Sequence, residues 1–292
     1  MRIRLDYKLI FLGLVLFISG WTTSSLTTDP IEVPIVPGLA APLANTDGYG
    51  LLAKPAPLAK AELLKMVVAA KQACISQCVT PAGQVLGTVD GVPAYSNCQS
   101  TCVRPEFSFM DLNTKAVSLR EKPPEDKNQH YIGLTYQCVE YARRWWMSNL
   151  GITFGDIDSA HEILYLTEGE NIYTQQKFPL ARSINGTAKR PPQRGDLVVY
   201  YPNRQDAKWR HGHVAVVVEV DLAQGLVSLA EQNYNNQPWV EPNRYARQIR
   251  LFEIGGRYHL EDIANNTVSN PVGGLISGWI YPAHSLLLKA HN

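Results

Sequence analysis

A chain of 292 residues with 27 Lys and Arg against 26 Asp and Glu carries a formal net charge of +1. That length suffices for one full core plus a small accessory module, which excludes a short stapled mini-protein. No long basic or acidic run breaks the charge balance, which argues against a nucleic-acid partner.

In chain order, Arg2, Arg4 and Lys8 precede an apolar run from Leu9 to Trp21. The run has the length of a signal-peptide core and is short for a membrane span. Residues 1–26 are therefore expected to be an export signal. Thr22 to Ser25 contain no Ala-x-Ala cleavage site, so an uncleaved membrane tether is the competing reading. Either way the bulk of the chain is expected to leave the cytosol. Residues 27–57 hold Pro30, Pro34, Pro37, Pro42, Pro55 and Pro57 and read as an extended linker.

Residues 58–106 carry four of the five cysteines. Leu63, Met66, Val67 and Ala70 sit at helical spacing, and Pro81, Gly83, Gly87 and Gly91 then break the pattern. Cys74 and Cys78 are four apart, as are Cys98 and Cys102, and cysteines four apart share a helix face. Two antiparallel helices could thus join Cys74 to Cys102 and Cys78 to Cys98, giving a disulfide-stapled helical hairpin. Spacing alone leaves the connectivity open, and a four-Cys zinc site competes with it. The export signal favours oxidation, so neither a metal nor a cofactor is expected. Residues 107–128, with Pro105 just before them and Pro123 and Pro124 within, read as a second linker.

The remaining body, 129–284 before a short tail at 285–292, shows one or two helices followed by β-rich runs. Strands are expected at Leu197 to Tyr201, Val214 to Val220, Gly225 to Ala230, Arg247 to Phe252, Arg257 to Leu260 and Leu275 to Tyr281. The expected class is α+β with an antiparallel sheet.

Cys138 opens a helical pattern with an apolar stripe at Val139, Ala142, Trp146 and Leu150, and Gly151 follows as a C-terminal cap. At a first turn the thiol meets unpaired N–H groups and the positive end of the helix dipole, both of which favour a thiolate. Such a nucleophile needs a base, and His213, heading the apolar run after His211-Gly212, is best placed of the seven histidines. Glu231 and Asn233 close the next run two apart, so on one strand they share a face. Either one could orient the imidazole. Asp156 and Asp158 are expected to be turn or cap residues rather than a calcium site.

These residues also resemble a known family. Tyr136-Gln-Cys-Val-Glu-Tyr-Ala-Arg-Arg, Gly155-Asp-Ile-Asp-Ser-Ala, Arg194-Gly-Asp-Leu-Val-Val-Tyr, Gly212-His-Val-Ala-Val-Val, Leu229-Ala-Glu-Gln-Asn and Gly278-Trp-Ile follow the order of a CHAP domain. The name denotes a cysteine- and histidine-dependent amidohydrolase or peptidase. Within that family the blocks are similar to the amidase domain of glutathionylspermidine synthetase/amidase and of the trypanothione enzymes.

The resemblance implies a papain-like fold in which Cys138 attacks an amide, His213 moves the proton and Glu231 orients it, with Asn233 assisting. It further implies Gln137 beside the Cys138 N–H as oxyanion donor, and Arg143 facing a substrate carboxylate. No segment here resembles the synthetase part of those bifunctional enzymes, so only hydrolysis is expected. Export points to a peptidoglycan-type peptide as substrate, whereas the likeness points to a glutathionylspermidine-type amide. A non-catalytic binding protein with this fold is the third reading.

Overall fold

The structure is a computed structural model that describes residues 74–126, 128–262 and 274–283. The expected signal or anchor, the Pro-rich linker, most of the first hairpin helix and the tail lie outside the described residues. Among those described, no helix is long and apolar enough to cross a membrane.

Fourteen named strands run in chain order among the described residues. They are β1 (Val85–Val89), β2 (Val92–Tyr95), β3 (Phe107–Asp111), β4 (Val117–Arg120), β5 (Gln129–Leu134), β6 (Ile152–Phe154) and β7 (Glu168–Asn171). There follow β8 (Lys177–Ile184), β9 (Leu197–Tyr200), β10 (His213–Asp221), β11 (Leu226–Ala230), β12 (Arg247–Ile254), β13 (Arg257–Glu261) and β14 (Ile276–Pro282). The named helical elements are α1 (Cys138–Leu150) and a 3-10 turn at Ala160–Tyr165.

The main sheet is antiparallel, in the order β13-β12-β11-β10-β9-β14-β8-β7-β6. Its centre is buried on both faces. Val214, Val216 and Val218 of β10 pack with Trp146 of α1, whereas Ala215 and Val217 pack with Ile249, Leu260 and Trp279 behind the sheet. This alternation follows the two-residue period of a strand, and two covered faces explain why β9 and β10 read as unbroken apolar runs.

Helix α1 forms where expected. Gly151 caps it in the left-handed conformation (φ 66°), donating its N–H to the Trp146 carbonyl. The helix is buried over more than the predicted stripe, since Glu140, Arg143 and Arg144 lie inside along with Ala142 and Trp146. Burial forces those charges to find partners. Arg144 Nε donates to Glu140 Oε1 (2.7 Å) and its Nη1 to the Pro93 carbonyl (2.6 Å), while Gln232 Nε2 donates to Glu140 Oε2 (2.6 Å). That network fastens the helix to β2 and to the turn after β11.

Two expectations are corrected. The stapled segment is no helical hairpin: residues 74–76 are helical, but the chain between the cysteine pairs forms the β1–β2 hairpin. Its turn is Asp90-Gly91, both with positive φ (54° and 73°), the conformation of a two-residue hairpin turn that matches strand twist. Gly87 also leaves no room for a side chain, because a Cβ there would sit 2.3 Å from the Trp239 ring. The second correction concerns 107–128, which contains β3 and β4. They pair in a three-stranded sheet, β4-β3-β5, joined to α1 by the cluster of Met110, Ile132, Met147 and Ile172. The Asp111 carboxylate accepts from the N–H groups of Asn113 and Thr114 and so shapes the turn between them.

Both disulfides join the expected partners, Cys74 with Cys102 (Cα–Cα 5.7 Å) and Cys78 with Cys98 (4.3 Å). The four thiols are thereby covalently paired, which removes the zinc reading.

Candidate active site

Cys138 is the first residue of α1 and, among the described residues, the free cysteine; its side chain is buried. As the opening helical residue its N–H has no acceptor within the helix. His213 starts β10, and both it and Cys138 line the same cleft, close enough for the cysteine to act on the imidazole. Its ring nitrogen Nε2 donates to Glu231 Oε2 at 2.8 Å. An imidazole has only two nitrogens, so the one left to meet the sulfur is Nδ1. The ring is enclosed by Tyr200, Trp209 and Tyr234, with centroids 5.6, 6.2 and 5.4 Å away.

Glu231 follows β11 directly and is 3 % exposed. It is held by a residue that the sequence reading missed. Arg247, at the start of β12, donates Nε to Glu231 Oε1 (2.5 Å) and Nη2 to Oε2 (3.2 Å). The remainder of the guanidinium binds the Asp262 carboxylate and the Tyr200 hydroxyl (2.9 Å), and the Tyr200 hydroxyl donates to Asp262 Oδ2 (3.0 Å). The signal was present in the sequence. Arg247 occupies the same strand phase as buried Ile249 and Leu251, so a charge points inward there.

The electrostatics follow from this chain of contacts. Burial, the largest influence on His213, disfavours its charge, but hydrogen bonds to Cys138 and Glu231 outweigh it and raise the imidazole from 6.5 to about 9. For Glu231 burial again opposes charge. The Arg247 cation and the His213 hydrogen bond prevail and lower the carboxyl to about 2. Glu231 is thus an anion across neutral pH, and His213 carries its proton there.

Asn233 departs from the expected shared face. β11 ends at Ala230, and Asn233 adopts left-handed backbone (φ 58°), so the two-residue alternation of a strand does not run from Glu231 to Asn233. Its Nδ2 donates to Gln137 Oε1 at 2.6 Å, and its Oδ1 accepts from Asn97 Nδ2 at 2.9 Å. Gln137, the residue before the nucleophile candidate, uses Nε2 to bind the Cys102 carbonyl at 2.9 Å, which engages one of its two amide protons.

Arg143 lies at the cleft with its side chain 3 % exposed. Its guanidinium binds the carbonyls of Ile132 and Gly155 and meets Asp156 Oδ1 at 3.3 Å, so in this arrangement its counter-ion is a protein carboxylate. Ser159, with Glu162, forms the capping box of the 3-10 turn, and the Asp158 N–H donates to Glu162. The cleft above these residues has a volume of about 1140 Å³ and includes Cys138, His213, Gln137 and Asn233 in its lining. Chemically, the arrangement offers a sulfur nucleophile, a proton on the adjacent imidazole, and an unpaired N–H beside both.

The chain is 30 % identical to trypanothione synthetase of Crithidia fasciculata over 66 % of its own length and 26 % of that protein's. It is 29 % identical to the bifunctional glutathionylspermidine synthetase/amidase of Escherichia coli over 68 % of its length and 29 % of the relative's. It therefore spans less than a third of these relatives. The solved structure of Ly7917 with the hydrolyzing product of MDP aligns at a TM-score of 0.26 and 17 % identity, over 50 % of this chain and 53 % of that one. The CHAP domain family matches residues 128–233, which contain Cys138, His213, Glu231 and Asn233. Residues 128–233 are thus similar to the CHAP domain, a family of amidohydrolases and peptidases.

Proposed function

We propose that this chain is a papain-like thiol amidohydrolase. The observation that carries the reading is a free cysteine at a helix start beside an imidazole whose Nε2 donates to Glu231, a carboxylate that Arg247 holds in turn. In the first step the Cys138 proton resides on His213, and the sulfur, as thiolate, bonds to the carbonyl carbon of a peptide amide while the carbonyl π pair moves onto oxygen. The Cys138 N–H stabilises that oxyanion, with Gln137 beside it. Collapse breaks the C–N bond, and His213 gives its proton to the leaving amine, leaving a thioester. Water then loses a proton to His213, attacks the thioester carbonyl and releases the acid and the thiol.

For the substrate, export favours a peptidoglycan-type peptide. The basic residues and apolar run before Trp21 support it, as do the two disulfides, which persist in oxidising compartments. The 29–30 % identity to trypanothione and glutathionylspermidine proteins favours a second substrate, a polyamine amide of glutathione.

The test is a parallel digest of cell-wall stem peptides and of glutathionylspermidine by the full chain and by Cys138→Ala. New amine termini from the peptides support the first substrate and free spermidine supports the second, with Cys138→Ala inert in both. Equal turnover by Cys138→Ala would remove the thiol mechanism, and an inert parent chain would leave the domain as a binding module.

A further inference from the structure

The stapled segment from Val79 to Val103 lies outside the matched CHAP domain, yet it shares the cleft. Val79, Gln99, Thr101 and Val103 line the same cavity as Cys138 and His213. Val79 and Val103 are 55 % and 66 % exposed, so two apolar side chains stand open at the mouth of that cavity. Between them the sequence holds one charged residue, Asp90. Its carboxylate is engaged by Arg194 and by Trp145 Nε1 (3.1 Å). This lining therefore presents no ion to a ligand.

The segment is also fastened to the residues around the nucleophile. A closed ring of hydrogen bonds runs through four groups. Gln137 Nε2 donates to the Cys102 carbonyl (2.9 Å), and Asn97 Nδ2 donates to the same carbonyl (2.8 Å) and to Asn233 Oδ1 (2.9 Å). Asn233 Nδ2 closes the ring on Gln137 Oε1 at 2.6 Å. Both amide protons of Asn97 are used, and its side chain is shut away from water at 1 % exposure. Asn236 supports it from behind, its Oδ1 accepting from the Asn97 N–H at 3.0 Å. Next in the chain, Cys98 is held in left-handed backbone (φ 81°), a conformation that costs a non-glycine residue about 1 kcal/mol or more. The Cys78–Cys98 disulfide and the Val79 N–H to Cys98 carbonyl bond (3.1 Å) anchor that turn.

We propose that the stapled segment is a working wall of the substrate cleft, offering Val79 and Val103 to an uncharged side chain of the substrate and using Asn97 to keep Gln137 and Asn233 in register with Cys138. Asn97 is a positioning residue, acting through the Gln137–Asn233 pair. The proposal rests on the hydrolase reading above and adds to it which part of the chain selects the substrate. A lysine, arginine, aspartate or glutamate of the substrate placed against this wall would meet no ion of opposite sign on the wall itself.

The experiment uses the full chain with its disulfides intact, and whichever of the stem-peptide digest or glutathionylspermidine it hydrolyses. In Val79→Asp/Val103→Asp both changes are exposed, so folding is retained. KM is expected to rise at least tenfold with kcat within about twofold, and alkylation of Cys138 by iodoacetamide is expected to proceed at the parent rate. In Asn97→Ala the opposite split is expected, with kcat down at least tenfold and KM within about twofold. An unchanged KM in the double variant overturns the proposal, even if Asn97→Ala fails to fold. A parent chain inert toward both substrates refutes the hydrolase reading instead, which separates the two failures.

Discussion

Replacing Arg247 by Met tests the electrostatic centre of the site. The methionine keeps an unbranched stem over the Tyr234 ring, which the Arg247 guanidinium carbon approaches to 4.1 Å, but deletes the cation on Glu231. Glu231, 3 % exposed, would keep only the His213 imidazolium as counter-ion. Removing one partner of a buried ion pair costs about 3–5 kcal/mol. For a chain of this size that lowers Tm by roughly 6–20 °C, which differential scanning calorimetry resolves.

The same change predicts a kinetic signature. Burial pushes the Glu231 carboxyl up, and the Arg247 charge is the largest influence pulling it down to about 2. Without that charge the carboxyl rises, and the acid limb of turnover moves to higher pH. In a double-mutant cycle with Glu231→Gln, the two losses should fall short of additivity by about 2 kcal/mol. Asp262→Asn should cost less, because the Tyr200 hydroxyl still binds at that position. A Tm within about 1 °C of the parent, with an unmoved acid limb, would refute the role assigned to Arg247.

Two further outcomes follow from the geometry. His213 is raised from 6.5 to about 9, so its contribution to stability is full below about pH 6.5 and lost as pH rises through about 9. Urea unfolding of the parent and of His213→Gln should therefore converge by on the order of 3 kcal/mol between pH 6 and 10, and parallel curves would exclude it. Gly87→Ala places a methyl 2.3 Å from Trp239, whose Nε1 donates to the Glu231 carbonyl at 3.0 Å. Overpacking of this kind costs about 1–3 kcal/mol, and an unchanged thermal melt would show that β1 does not approach Trp239 so closely.

Much of the fold was legible where burial acts on both faces of a strand or along one helix. The runs forming β9 to β12 and β14 carry enough Val, Ile and Leu to be recognised within a residue or a few. The β1–β2 hairpin was missed, although Asp90-Gly91 stands between the β-branched Val89 and Val92. The helical spacing of the cysteines misdirected it, because two pairs four apart fit a hairpin base as well as two helices. β3 and β4 were hidden by the proline- and charge-rich stretch that follows them. β8, with its mixed burial, lacks a clean period altogether.

At the site, the sequence carried Cys138, His213 and Glu231, since helix start, strand start and strand end are local features. The shared face expected for Glu231 and Asn233 presumed one continuous strand, whereas β11 ends at Ala230 and Asn233 is left-handed, a change of backbone that nothing in the sequence marks. Arg247 and Asp262 needed the sheet itself: β12 lies beside β11, which sets a charge at Arg247 against Glu231.

What the sequence by itself determined is therefore the chemistry at hand: a lone thiol at a helix start, a histidine and a carboxylate at strand ends, and four cysteines spaced for two bridges. What only the tertiary structure decided is how those groups are tuned and enclosed. Pairing energy between charges depends on distance and burial, neither of which is a property of one segment. Hence the Glu231–Arg247–Asp262 chain, the Asn97 ring and the stapled wall appear only once strands distant in sequence are neighbours in space.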